Sequence, residues 1–300
     1  LEAAVFAPGT LGGQPVSDTT RVILVFEPPP HPSLDHGHHD DWDEDHEVVI
    51  LGERGREPQH GVGDVRIQVP DVSAVPIIQA ADALKLAPGV LVARIGGDGE
   101  PEQIFLRGFD ARHGQDIRFT VDGLPLNQVG NPHGHGLVDL HFLVPEALSE
   151  LRVQEGPFDP SQGDFTVAGS AELGLGLAEP GLLLRAGAGS FGARRGVVGW
   201  RHQDDAGTFA IAEVFTQDGY GANRGVDRAS ALARWEGGEE VKASVLGGVY
   251  ASSWQSAGVV RLDDVEAGRL DLYDTMDARQ GGYAQQAMLA ATARGRIDAL

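Results

Sequence analysis

Ile104-Phe-Leu-Arg-Gly-Phe109 and, a little further on, Phe119-Thr-Val-Asp-Gly-Leu-Pro-Leu-Asn127 decide how this chain is read. Each is a short run rich in β-branched and aromatic residues, and the second is broken by a turn signal. Asp122-Gly123, flanked by apolar positions, is the two-residue hairpin signal, because both turn positions need positive φ. Working outward, Val90-Leu-Val92, Gln103-Ile-Phe-Leu-Arg107, Ile117-Arg-Phe-Thr-Val121 and Leu151-Arg-Val-Gln154 read as strands. Gly96-Gly97 and Gly156-Pro157 punctuate them. Ala80-Ala-Asp-Ala-Leu-Lys-Leu86 reads as a short helix stopped by Pro88-Gly89, where proline removes a donor and glycine accepts a left-handed turn. Together with the short apolar strand Val48-Val-Ile-Leu51, these elements predict a small α+β domain over residues 48–178.

The flanks have different compositions. Residues 1–30 hold one strand, Arg21-Val-Ile-Leu-Val-Phe26, closed by Glu27-Pro-Pro-Pro30, as at the end of a small β domain. Residues 31–47 carry five His and seven Asp or Glu, with only Leu34 and Trp42 as large apolar side chains. Such a stretch buries too little apolar surface to offset its ordering entropy and is expected to be a disordered linker. Residues 179–300 predict about six strands, near 182–189, 194–203, 208–216, 228–236, 239–250 and 282–296. In the fifth, Val241, Ala243, Val245, Gly247 and Val249 face one way. Glu240, Lys242, Ser244, Gly248 and Tyr250 face the other, with Leu246 as the exception. Asp204-Asp-Ala-Gly207 and Gly237-Gly238 are short turns, whereas residues 217–227 and 251–281 are long, polar connections. Both a soluble β-sandwich and a transmembrane β-barrel alternate in this way. Strands longer than about 5–6 residues and connections whose length alternates by side favour the barrel.

Composition sets the outer bounds. With 44 acidic against 23 basic residues the net charge is −21, which excludes a nucleic-acid partner, since phosphate contacts need clustered Lys and Arg. The absence of cysteine rules out disulfide scaffolds, thiolate metal sites and a Cys nucleophile. No apolar run reaches about 18 residues, so no transmembrane helix is expected; barrel strands are not tested by that criterion. The chain opens at Leu1 without a signal peptide and stops at Leu300 inside a strand pattern, and both ends are read as cuts.

Six stretches in order carry a family resemblance. Glu47-Val-Val-Ile-Leu-Gly-Glu-Arg54, Ala81-Asp-Ala-Leu-Lys-Leu-Ala-Pro-Gly-Val90, Ile104–Phe109, Phe119–Asn127, Leu148-Ser-Glu-Leu-Arg-Val-Gln-Glu-Gly-Pro157 and Gly169-Ser-Ala171 resemble, one after another, the plug motifs of TonB-dependent outer-membrane receptors. Beyond them, Trp254-Gln-Ser-Ala-Gly258 with Gly281-Gly282 is similar to the first large extracellular loop of a receptor subgroup. That subgroup also carries a segment like His133-Gly-His-Gly-Leu-Val-Asp-Leu-His-Phe-Leu-Val-Pro-Glu146. The resemblance implies a small α+β plug followed by the N-terminal strands of an antiparallel transmembrane β-barrel in the bacterial outer membrane. Its N-terminal segment would be periplasmic and its plug would gate energised uptake of a scarce small-molecule or metal-chelate ligand. It implies TonB, with the ExbB/ExbD energy-transducing complex, and outer-membrane lipid as partners. It requires no cofactor and no catalytic residue. The strand in residues 1–30 resembles the end of a carboxypeptidase-regulatory-like domain. A TonB box is not obvious, and Val48, Val49 and Ile50 are the segment that could serve.

Within this frame, Arg107, Gly108, Asp122, Gly123, Gly156 and Pro157 read as structural residues of the plug. A charge in the strand at Arg107, enclosed by a barrel, must be paired, and a carboxylate or carbonyl across the plug–barrel interface is expected. His133, His135, Asp139 and His141 are candidate ligand contacts; His133 and His135 could chelate one borderline cation, with Asp139 adding an oxygen. The helical His-Glu-x-x-His spacing of a zinc hydrolase is absent, which weighs against a metallohydrolase. In the linker, His36, His38, His39 and His46, beside Asp40, Asp41, Asp43 and Asp45, could bind a metal ion loosely; a solvated acidic spacer is the competing reading.

Overall fold

A computed structural model describes residues 10–11, 14–15, 63–72, 77–94, 99–111, 114–130 and 136–295. The chain divides into two compact units, Leu1–Arg56 and Glu57–Leu300. In the first, strands β1 (Thr10–Leu11) and β2 (Gln14–Pro15) pair antiparallel. The expected strand Arg21–Phe26, the His/Asp-rich linker and Val48–Leu51 lie outside the described residues.

The second unit begins with a domain of two small sheets. Strands β3 (Asp64–Gln68), β7 (Ile117–Val121), β8 (Leu124–Pro125), β9 (Leu148–Glu155) and β10 (Gly169–Leu175) form a sheet in the order β3-β9-β10-β7-β8. The β10–β7 pair is parallel and the others are antiparallel. Strands β4 (Val90–Ala93), β5 (Gln103–Leu106) and β6 (Phe109–Ala111) form a three-stranded antiparallel sheet. Period-two burial explains the register: Leu151 and Val153 of β9 and Ala171 and Leu173 of β10 turn into the core, with Phe119 and Val121 of β7 beside them.

The expected short helix is present at Ala80–Leu86 and is wound as a 3-10 helix. Its start is fixed by Asp82, whose carboxylate accepts the Gln79 and Ile78 N–H groups at 3.0 and 3.2 Å. Its end is fixed by Ala87, which Pro88 holds in extended backbone (φ −82°, ψ 132°), so seven residues are all it has. Arg107 is not in a strand. Arg107 and Gly108 have φ of 48° and 86° and form the two-residue turn joining β5 to β6, just as Asp122 (φ 47°) and Gly123 (φ 79°) join β7 to β8.

Strands β11 (Gly181–Ala188), β12 (Arg194–Arg201), β13 (Phe209–Gln217), β14 (Val226–Gly237), β15 (Val241–Gln255) and β16 (Gly281–Gly295) form an antiparallel meander in sequence order. All six expected strands are present. The short turn 238–240 and the long connection 256–280, which carries helix α1 (Leu262–Glu266), follow the expected alternation. At the first pair it fails: the connection 189–193 is tighter than 202–208, because Phe191 (φ 58°) and Gly192 (φ 72°) make a compact turn.

The two faces of the meander differ. Leu182, Leu184, Val198, Trp200, Val214, Trp235, Val245, Val249, Tyr283 and Leu289 are exposed on the outer face. Phe209, Ile211, Leu232, Leu246 and Tyr250 are buried on the inner face and join one hydrophobic core with the mixed-sheet domain. Leu246, the exception to alternation in β15, is thereby explained: its face is covered by that domain and not by water. The exposed aromatics sit at two levels. Trp200 and Trp235 lie near the turns 202–208 and 238–240, and Tyr283 lies near the connection 256–280. Trp235 is level with Ala291, eight residues from Tyr283 along β16. At about 3.4 Å per residue this is roughly 27 Å of strand, which tilt shortens toward the ~25 Å band of a membrane barrel.

Candidate functional site

The polar chemistry of the unit gathers where the mixed-sheet domain meets the inner face of the meander. Glu146 stands in a 3-10 turn (Pro145–Ala147) just before β9, and Pro145 starts that turn with its fixed φ. Its carboxylate receives both Nη groups of Arg195 from β12 at 2.7 Å, a bidentate fork. Arg185 of β11 adds a 3.3 Å contact. Arg195 also donates through Nε to Glu213 of β13 at 2.7 Å, and Glu213 takes Arg228 Nε of β14 at 3.0 Å. Glu213 and Arg228 are nearly inaccessible to solvent, and Arg228 lies over the Phe215 ring at 4.3 Å. Three strands and one turn thus share a ladder, Glu146–Arg195–Glu213–Arg228, in which every buried charge has an opposite neighbour. Burial works against the charged form of Glu146, but the Arg195 hydrogen bonds and charge outweigh it and hold this carboxyl below its ordinary pKa.

A second clasp lies at the opposite end of the strands. The Asp122 carboxylate accepts Leu175 N–H at 2.9 Å with Oδ1 and Arg234 Nη1 at 2.8 Å with Oδ2. Arg234 of β14 also donates to Gly207 O at 2.8 Å. A single hairpin residue therefore ties β10, β14 and the turn 202–208. Arg201 of β12 fastens the intervening segment by donating to Leu177 O and Ala178 O at 2.9 and 3.0 Å. Close packing supplements the charges. Gly99 lies against the Trp254 side chain, which leaves no room for a Cβ there.

Asn127 organises the loop beyond the hairpin. Its Oδ1 accepts Phe119 N–H at 2.7 Å, and its Nδ2 is within hydrogen-bond reach of Ile117 O, Gly136 O and Gly114 O at 2.9, 3.1 and 3.2 Å. Farther along, His141 Nδ1 meets Asp139 Oδ1 at 2.7 Å, and Glu102 lies 3.5 Å from Nε2. Burial disfavours the His141 cation, yet the Asp139 hydrogen bond and the Glu102 and Asp139 charges prevail and raise its pKa. Asp139 is shifted down, burial being outweighed by its hydrogen bond to His141.

Of the residues singled out from sequence, Asp139 and His141 are thus brought together, while His133 and His135 lie outside the described residues. The linker residues His36, His38, His39 and His46 and the segment Val48, Val49 and Ile50 also lie outside them. Gly156 has φ 89° and, with Pro157, closes β9. Arg107 corrects an expectation. Its partner is Glu155 of β9, within its own domain, and its side chain is 63 % exposed. Positive φ lifts it out of strand geometry, and its guanidinium lies beside Glu155. Sequence reading missed Glu146, Arg195, Glu213, Arg228 and Arg234. The available signal was a charge repeatedly placed on the otherwise apolar inner face, as with Glu213 between Ile211 and Phe215.

Residues 65–170 match the family model of the TonB-dependent receptor plug domain. The domain is a TonB-dependent receptor plug. Solved receptors share the fold of plug and strands. The siderophore receptor PirA of Acinetobacter baumannii is 15% identical with a TM-score of 0.54, over 78% of this chain and 38% of that one. The ferric enterobactin receptor of Pseudomonas aeruginosa, solved with enterobactin, is 14% identical at a TM-score of 0.52, over 80% and 40%. The ferric yersiniabactin uptake receptor of Yersinia pestis is 15% identical at 0.50, over 77% and 37%. The chain spans about two fifths of the length of these receptors. At these identities the likeness establishes fold: β11–β16 are strands of a receptor-type barrel, and the ladder and clasp above fasten the plug to its wall.

Proposed function

We propose that this chain belongs to an outer-membrane receptor that captures a scarce ligand on its outer side and admits it past the plug when TonB supplies energy. The observation that carries this reading is the seat of the plug. A family-matched plug packs on the inner face of an antiparallel wall whose outer face is an apolar band between aromatic levels. Such a wall is stable only when its outer face meets lipid. Charges on the inner side, satisfied pairwise, can be exchanged for other pairs or for water when the plug shifts, so the seam suits a gate. The solved receptors that share the fold include a siderophore receptor, a ferric enterobactin receptor and a ferric yersiniabactin uptake receptor, which supports a metal chelate as the ligand class here. Val48, Val49 and Ile50 are the segment assigned to TonB, with ExbB/ExbD behind it, on the periplasmic side. Nothing in the family points to enzymatic chemistry.

Outer-membrane fractionation and heat-modifiable migration of the full-length protein test the location. Uptake of labelled ferric chelates in strains with and without TonB tests the function, and uptake that persists unchanged without TonB would refute it. Crosslinking through cysteines placed at Val48 to Ile50 should trap TonB; no adduct at any of the three would remove that assignment.

A further inference from the structure

The charges on the inner face of β11–β16 are nearly all of one sign. Alternation along the strands turns Arg185, Arg195, Arg201, Arg228 and Arg234 toward the plug. Lys242 and Arg294 continue the series on β15 and β16, on the face that carries Leu246 and Met288. Among the described residues Glu213 and Glu236 are the carboxylates of that face. On a chain of net charge −21, seven cations against two carboxylates make this face positive. The series runs from the level of Arg228 and Ser252 to Lys242, ten residues along β15, which is about 34 Å of strand. In the seated state the plug supplies the missing counter-ions. Glu146 meets Arg195 and Arg185, and Asp122 meets Arg234. The wall's own carboxylates are already committed, Glu213 to Arg195 and Arg228, and Glu236 to Arg234. Lys242 and Arg294 lie beyond the paired seam. They are register partners on neighbouring strands, and like charges directly opposite one another cost stability. Neither forms an ion pair among the described residues. With Asp122 and Arg234 they line a cavity of about 790 Å³ between plug and wall.

We propose that this inner face is a path for a multiply anionic ligand, whose negative groups replace Glu146 on Arg185 and Arg195, then Asp122 on Arg234, and last meet Lys242 and Arg294 near the turn 238–240. This assignment rests on the receptor function proposed above and adds to it the charge of the ligand. Displacing the plug withdraws Glu146 and Asp122, and with them Glu172 of β10, which also lines the cavity. Each guanidinium so released offers an oxyanion of the ligand the donors that the plug carboxylate had used. Of the acids left around the cavity, Glu236 is held by Arg234, Asp205 turns into its own loop to accept the Gly207 N–H at 2.8 Å, and Asp204 is the one that remains. A wall lined by one sign of charge concentrates the opposite ion and repels its own, so carboxylate or phosphate groups suit this path and cationic ligands do not. The plug carboxylates compete with the ligand for the same guanidiniums, so the seam closes again once the ligand has passed.

The test reads charge selectivity and does not require the imported ligand to be known. The full-length receptor is placed in a planar lipid bilayer under a KCl gradient, and urea is added until the plug unseats and current flows. The reversal potential should show chloride passing in preference to potassium. Lys242→Glu combined with Arg294→Glu should lower the ratio of chloride to potassium permeability about tenfold. Arg194→Glu, on the outer face of β12, is the control and should leave the ratio unchanged. Citrate, a small polyanion, should block the current at concentrations at which spermidine, a polycation, does not, and Lys242→Gln combined with Arg294→Gln should weaken that block. The proposal is overturned by a potassium-selective parent, by a ratio that the double charge reversal leaves unmoved, by block with spermidine and not citrate, or by a plug whose release opens no current. Should a double variant fail to fold, the selectivity of the parent and the two blockers still decide. TonB-independent uptake would defeat the receptor function, whereas none of these currents depends on TonB, so the two failures are distinguishable.

Discussion

At the scale of the residue, the seam is sensitive because its charges are buried and shared. Glu146→Gln removes one end of the ladder and leaves Arg195 with Glu213 alone. We expect a loss of about 3 kcal/mol, the range for breaking a buried pair, read as faster hydrogen exchange in residues 140–150 of the full-length receptor. Unaltered exchange there would show that the fork contributes nothing. The pH dependence follows from the same pair. Because the folded carboxyl of Glu146 lies below its ordinary value of 4.5, its contribution is present above that value and is lost as pH falls through the folded one. The acid limb of the stability profile should therefore flatten in Glu146→Gln. Asn127→Ala should cost about 2–4 kcal/mol, since it leaves a buried backbone donor and several carbonyls without their partner. Of these residues, Asn127 was visible as the end of a motif, but its role was not. A side chain that meets four backbone groups 8–13 residues away on either side of it leaves no periodic trace.

At the scale of the element, the two hairpin turns show how composition becomes geometry. Arg107-Gly108 and Asp122-Gly123 both hold positive φ at both positions. Gly108→Ala or Gly123→Ala should each destabilise the plug by about 1–2 kcal/mol through left-handed strain alone, because neither site has an atom within 4 Å of an added Cβ. Equal thermal denaturation midpoints for variant and parent would contradict this. Asp122 does more than turn the chain. A double-mutant cycle on Asp122→Asn and Arg234→Gln should return a coupling of about 1–3 kcal/mol, and a coupling near zero would make the clasp incidental. The Asp-Gly signal was legible in the sequence because turn chemistry is local. The turn at Arg107-Gly108 was misread as strand because arginine gives no hint of positive φ; only the pairing of β5 with β6 imposes it. In the 3-10 helix Ala80–Leu86, Pro88 marked the end correctly, whereas the tighter winding came from the Asp82 cap and the short span.

At the scale of the whole molecule, the meander separates an apolar outer side, which the proposed function turns to lipid, from a plug-facing side, and substitutions should respect that division. Val249→Arg, on the outer face between the two aromatic levels, should cost about 2–4 kcal/mol in folding into lipid vesicles. Ser244→Arg, one of the polar alternates on β15, should cost much less, and equal penalties would refute the assignment of faces. The sequence by itself determined the six strands, their alternation, the hairpin at Asp122-Gly123 and the order of the plug motifs, since each is written in local periodicity or in short turn chemistry. Only the tertiary structure decided where the charges go. Glu146, Arg195, Glu213 and Arg228 come from one turn and three strands, and Asp122 finds Arg234 more than a hundred residues away. Which ion meets which is set by strand register and by the seating of the plug against the wall. Those are properties of the packed core, in which one row of shift would pair different charges, and no local stretch of sequence specifies them.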